Sequence, residues 1–285
     1  IADIFSTCVK LPTIMCFVAR RLSLVGTFFV LLVTASNALA TASILPSTQA
    51  LALLVKEISG QVNQPLLPAN VSPHDFSLKP SHIRRLHSAE LVVWLGPELE
   101  PYLAKTMARI PAHQQLIISN GGSGVGVSYG QHPWTSPAYL LQGVNQLSQR
   151  LDIKRDNAAW LEAMERLQLE LTQHLQMLNH KGQGYLIYHD GLDGFESHFG
   201  LTHLASFTGA DDQAPGAKRL ASIAEFEKTG RVACILVDHE VKHKLVDAVL
   251  GPDVKRIQID ILAANSASLT EYLTALQQAL LSCGR

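Results

Sequence analysis

Beyond the first forty residues, the apolar positions follow two rhythms. Short apolar runs at 42–45 and 116–119 read as strands, 91–95 reads as a buried strand, and the pair 66–67 fits a further short one. Between them, apolar residues spaced three and four apart predict helices over 48–58, 80–87 and 98–107. The second half repeats the alternation. Strands are predicted at 185–188, 204–207, 232–237 and 256–259, and helices at 194–198, 215–228, 240–249 and 268–281. Strands alternating with helices imply mostly parallel α/β sheets flanked by helices.

The longest helical stretch, 156–179, lies between the halves, with Trp160, Leu161, Met164, Leu167, Leu171, Leu175 and Leu178 on one predicted stripe. No Pro or Gly interrupts it before Gly182. The expected organisation is therefore an N-terminal lobe (41–152), a long rigid linking helix (153–181) and a C-terminal lobe (182–285). In such α/β folds ligands bind beyond the carboxyl ends of the strands, which puts the site in the cleft between the lobes. The glycine-rich run at 121–130 lacks the Lys-Ser/Thr of a phosphate-binding loop and the spacing of a dinucleotide loop, so it reads as a surface loop.

Residues 1–40 are expected not to belong to the fold. Arg20 and Arg21 precede an uncharged apolar run at 22–33, and Ala38-Leu39-Ala40 follows. That is the pattern of a secretory signal peptide cleaved after Ala40, and the run is too short for a membrane span of about 20 residues. The chain opens on Ile1, and Met15 is the expected start, with 1–14 upstream of it.

Of 285 residues, 47% are hydrophobic and 16% charged, which excludes intrinsic disorder. The net charge of −1 supplies no basic field for nucleic acid. Loss of the leader leaves 20 basic against 23 acidic residues, a net charge of −3. Cys8 and Cys16 leave with it, so an exported chain keeps Cys234 and Cys283, which invites one disulfide. All twelve His remain.

Four chemistry-bearing residues fall at predicted strand ends or turns: His74 in SPHDF, His132 in GQHPWTSP, His189 in YLIYHD and Asp260 in KRIQID. Three imidazoles and one carboxylate can close a tetrahedral zinc site. Spacing alone leaves open the reading of each as a polar loop residue.

The run SPHDFSLKPSHIRRLHSAELVVWLGPELEPYL, followed by HPWTSP, YHDGLDGFESHFGL and APGAKRL in the same order, resembles the metal-binding lipoprotein/adhesin-like family of ABC-transporter solute-binding proteins, and within it the zinc-uptake branch. The similarity covers nearly all of 41–285. It implies that His74, His132 and His189 are imidazole ligands, that Asp260 is the carboxylate position, and that Cys234 and Cys283 form a disulfide. It further implies a periplasmic, monomeric carrier of Zn2+ serving an ABC permease and its ATPase. The manganese branch has Glu at the position of His189, so zinc is favoured over manganese or iron. The chain departs from the family in lacking a His-rich loop before His132, in Asp260-Ile261-Leu262-Ala263 for Asp-Pro-Leu-Gly, and in Asp238-His239-Glu240 for Glu-Pro-Gln.

One competing motif remains. His239-Glu240-Val241-Lys242-His243 spells the HExxH of zinc proteases, which needs both imidazoles on one helix face. Lys242 and Lys244 interrupt it, it sits at a predicted helix start, and no third ligand is evident. A solvated helix face, with a secondary metal contact at His239 and His243 as the lesser option, is the expectation. His82 and His87, five apart on a short predicted helix, diverge and are given no site role, and His174, His180, His198 and His203 are read as surface or helix-end residues.

Overall fold

Among the described residues, seven parallel strands form two sheets. The structure, a computed structural model, describes residues 43–73, 76–118, 130–209 and 213–284. The leader with its Ala40 site, His74, and positions 121–129 of the glycine run lie outside the described residues. The first sheet holds β1 (Ile44–Pro46), β2 (Leu91–Trp94) and β3 (Gln115–Ile117) in the order β1-β2-β3. The second holds β4 (Gly184–His189), β5 (Ser206–Thr208), β6 (Val232–Val237) and β7 (Arg256–Gln258) in the order β5-β4-β6-β7. Every pairing is parallel, as the predicted alternation requires.

Parallel sheets need cover on both faces, and here helices supply it. In the first half these are α1 (Gln49–Ser59), α2 (Pro80–Ser88), α3 (Pro101–Met107) and α4 (Pro137–Arg150). Next comes α5 (Ala158–His180), then α6 (Asp193–Phe199), α7 (Ala217–Lys228), α8 (His243–Leu250) and α9 (Leu269–Leu281). Local chemistry sets their ends. The Thr48 hydroxyl accepts from Leu51 N at the start of α1, and Gly60, at φ 71°, stops it. Leu45, Leu86, Val92, Leu103 and Met107 share one core, while Leu186, Phe207, Ile223, Ile235 and Val246 share another.

Some expected boundaries shift for visible reasons. Leu66 and Leu67 are not a strand of their own, but their N–H groups donate to Pro46 O and Ser47 O, prolonging the edge of β1. α3 begins at Pro101, because Glu100 is pulled inward to accept from Ser47 Oγ, Leu95 N and Tyr102 OH. α8 begins only at His243, because Asp238 Oδ1 accepts from Glu240 N at 2.9 Å and holds the chain in a turn.

α5 has 23 residues, about 35 Å at the α-helical rise. It buries Trp160, Met164, Leu167, Leu171, His174 and Leu178, whereas Leu161 of the expected stripe is half exposed. It lies against α9, where Gln277 donates to Glu170. α9 in turn reaches the first half through the loop before it, since Lys56 Nζ donates to Ala267 O at 2.8 Å. Cys234 in β6 and Cys283 after α9 are joined by a disulfide with Cα atoms 5.4 Å apart, both fully buried. Among the described residues no helix is long and apolar enough to cross a membrane.

Candidate metal centre

Two of the four expected ligands meet. His132 precedes a 3-10 turn (Pro133–Thr135), and its carbonyl accepts from Thr135 N and Thr135 Oγ1. Thr135 Oγ1 also accepts from Phe195 N of α6, which ties the turn to the second half of the chain. His189 is the last residue of β4. Their Nε2 atoms stand 3.0 Å apart with the ring planes at 89°. The rings are buried, at 1% and 6% exposure.

Both rings have oxygen on the far side. His132 Nδ1 faces Asp193 Oδ1 at 3.8 Å, and His189 Nδ1 faces Thr208 Oγ1 at 3.4 Å. The Thr208 hydroxyl is at hydrogen-bond distance, whereas the Asp193 carboxylate faces its imidazole at ion-pair distance. The two Nε2 atoms hydrogen-bond each other, so one of them donates; a metal between them would take the lone pairs of both in place of that proton. Asp193 is fixed by Gln131 N and Gly194 N. Burial pushes its carboxyl up to about 6, Asp190 and Glu196 add to the rise, and the two backbone hydrogen bonds oppose it. Glycine is needed nearby for close approach: a Cβ on Gly191 would lie 2.9 Å from both His189 and Ile261 side-chain atoms, and one on Gly194 3.0 Å from His132 O.

The pocket beside the pair measures about 10 Å³, room for roughly one water molecule. Ser72 and Pro73, directly before His74, form part of its wall, as do Ile261 and Leu262, directly after Asp260. The Asp260 carboxylate accepts from Ala264 N (3.0 Å), Asn265 N (2.7 Å) and Asn265 Nδ2, so it shapes the loop that carries those two residues. Among the described residues, no three His, Cys, Asp or Glu side chains cluster closely enough to hold a metal.

Sequence reasoning passed over Asp193 and gave Asp238, His239 and Glu240 no place in this pocket, yet the last three form its remaining wall. An acid opening a short helix four residues after His189 is the signal that could have found Asp193. The HExxH letters do not form a protease helix: His239 and Glu240 lie in a turn, while His243 opens α8 and is exposed. His174 is not a surface residue. It is buried, with Nε2 2.8 Å from Cys283 O. His203 lies against the Glu196 carboxylate, which also accepts from Tyr185 OH.

Residues 44–282 match the family described as "Zinc-uptake complex component A periplasmic". The "High-affinity zinc uptake system protein ZnuA" of Yersinia pestis is 29% identical over 86% of this chain and 92% of its own. That of Haemophilus ducreyi is 29% identical over 84% and 91%. Among solved structures, a crystal structure of ZnuA superposes with a TM-score of 0.68 at 22% identity, covering 85% of this chain and 98% of that one. The periplasmic zinc-binding protein TroA of Treponema pallidum gives 0.65 at 15% identity, with coverage of 85% and 98%. At those identities the structural likeness establishes the fold.

Proposed function

Because the chain belongs to the family of periplasmic zinc-uptake complex component A, we propose that it captures Zn2+ in the periplasm and delivers it to an ABC-type zinc importer. The observation that carries this reading is the His132–His189 pair. Two nitrogens bound to one tetrahedral zinc at about 2.0–2.1 Å stand about 3.3 Å apart; here they are 3.0 Å apart. The two imidazoles thus already lie near one edge of a zinc tetrahedron, and both are buried.

His74 is the third ligand in this reading, supported by the position of Ser72 and Pro73 on the pocket wall. Asp260 takes the carboxylate position. Its three hydrogen bonds leave lone-pair capacity on a group with about four acceptor sites. The pocket takes one ion without its water shell, so three imidazoles and one carboxylate must replace that shell. Such a donor set suits zinc better than manganese, which prefers oxygen. The partners are the permease and ATPase of the importer, and the carrier acts as a monomer exported by a leader cleaved after Ala40. The role is binding and release, without chemistry on a substrate. Competition tests the cargo: zinc bound to the purified protein should resist displacement by excess manganese or ferrous iron, and equal displacement would overturn the assignment.

A further inference from the structure

We propose that His239, with Glu240 beside it, is a transit ligand through which a divalent cation enters and leaves the His132–His189 pair. The inference rests on the zinc-carrier reading and adds a step to it.

The inner pair is almost wholly buried, and the pocket beside it has a volume of about 10 Å³. A zinc ion in water carries a shell of bound water that a space of this volume, enough for about one water molecule, cannot hold intact. It must exchange water for protein ligands in stages. The wall of the same pocket includes one exposed imidazole, His239, whose side chain is 45% accessible. Its Nε2 lies 3.8 Å from Glu240 Oε1, and that carboxylate is 32% accessible. A neutral imidazole with an adjacent carboxylate offers a cation one nitrogen donor and one negative oxygen. The turn that presents them is held by the bond from Glu240 N to Asp238 Oδ1, and Asp238 is itself buried on the pocket wall. So His239 faces solvent on one side and the pocket on the other, while the similarly exposed His243 opens α8 outside the pocket lining.

A transit ligand has a kinetic signature. Since it holds the ion only on the way, removing it slows entry and exit by the same factor and leaves the equilibrium unchanged. A resident ligand behaves otherwise, because its removal speeds exit and weakens binding. The experiment is stopped-flow zinc association, and dissociation into an excess of chelator, on the purified protein and on H239A, H239N, H243A and H132A. The proposal expects H239A and H239N to slow both rates by one common factor, with Kd unchanged and H243A like the parent. Faster dissociation with weaker binding in H239A, or rates identical to those of H243A, would overturn it. If H132A binds zinc as tightly as the parent, the carrier reading itself fails. Loss in H132A with unaltered rates in H239A sinks only the transit role.

Discussion

Trp134 Nε1 donates to Ile261 O at 2.9 Å across 127 residues of sequence, with both residues buried. This bond fastens the turn that carries His132 to the loop that follows Asp260. Ile261 O also accepts from Tyr272 OH, so both sides of the site hang on one carbonyl. Trp134→Phe keeps an aromatic ring, though a smaller one, and removes the donor. Its expected cost is about 1 kcal/mol in a denaturant melt, with a parallel loss of zinc affinity. Unchanged affinity in a stably folded variant would show that the two segments need no tie.

Asp193 backs His132 from the side away from His189. Asp193→Asn retains an acceptor for Gln131 N but loses the charge that favours a metal-bound imidazole. Zinc affinity measured by calorimetry should fall roughly tenfold, and Asp193→Ala should lower it further, up to about 100-fold.

The disulfide between Cys234 and Cys283 closes 49 residues. In the chain-entropy treatment this is worth roughly 4 kcal/mol against the unfolded chain. The variant with both cysteines changed to Ser should lose about that much in a urea titration. Neither cysteine lines the pocket beside the His132–His189 pair, so zinc affinity of the folded variant should stay as it was.

His203 gives stability a pH dependence. Burial opposes its protonation, but the hydrogen bond and charge of Glu196, helped by Asp190 and Asp193, outweigh burial and raise its pKa above the ordinary value. A raised histidine stabilises the fold fully below the unfolded pKa of about 6.5, and the contribution fades as pH climbs through the folded value. His203→Ala should therefore destabilise more at about pH 5.5 than at about pH 8. The same loss at both would mean that the imidazole is not charged in the folded protein.

Much of the fold was legible because solid apolar runs and three-and-four spacing survive folding almost unchanged, as at Val232–Val237 and Gln49–Ser59. What misled was side-chain capture of backbone. Asp238 takes Glu240 N and delays α8, which turns a suspected helical motif into a turn on the pocket wall. His132 and His189 are marked as candidate ligands by the family resemblance of HPWTSP and YHDGLDGFESHFGL, since type and spacing alone leave each open as a polar loop residue, and their 3.0 Å approach depends on contacts between distant segments that no local pattern encodes. Leu161 fitted the helical stripe by spacing and yet faces solvent, because spacing does not say which flank of a stripe its neighbour covers. Asp193, His239 and Glu240 come beside the His132–His189 pair through tertiary packing, and the HExxH letters around His239 point to a helical protease motif instead of to this pocket.

The central claim is that His74, His132 and His189 hold zinc, and calorimetric titration of the purified protein tests it most directly. The account predicts one zinc ion bound per chain with submicromolar affinity, and its loss in the variant with all three histidines changed to Ala. The absence of submicromolar binding in the parent, or its survival in the triple variant, would contradict the account.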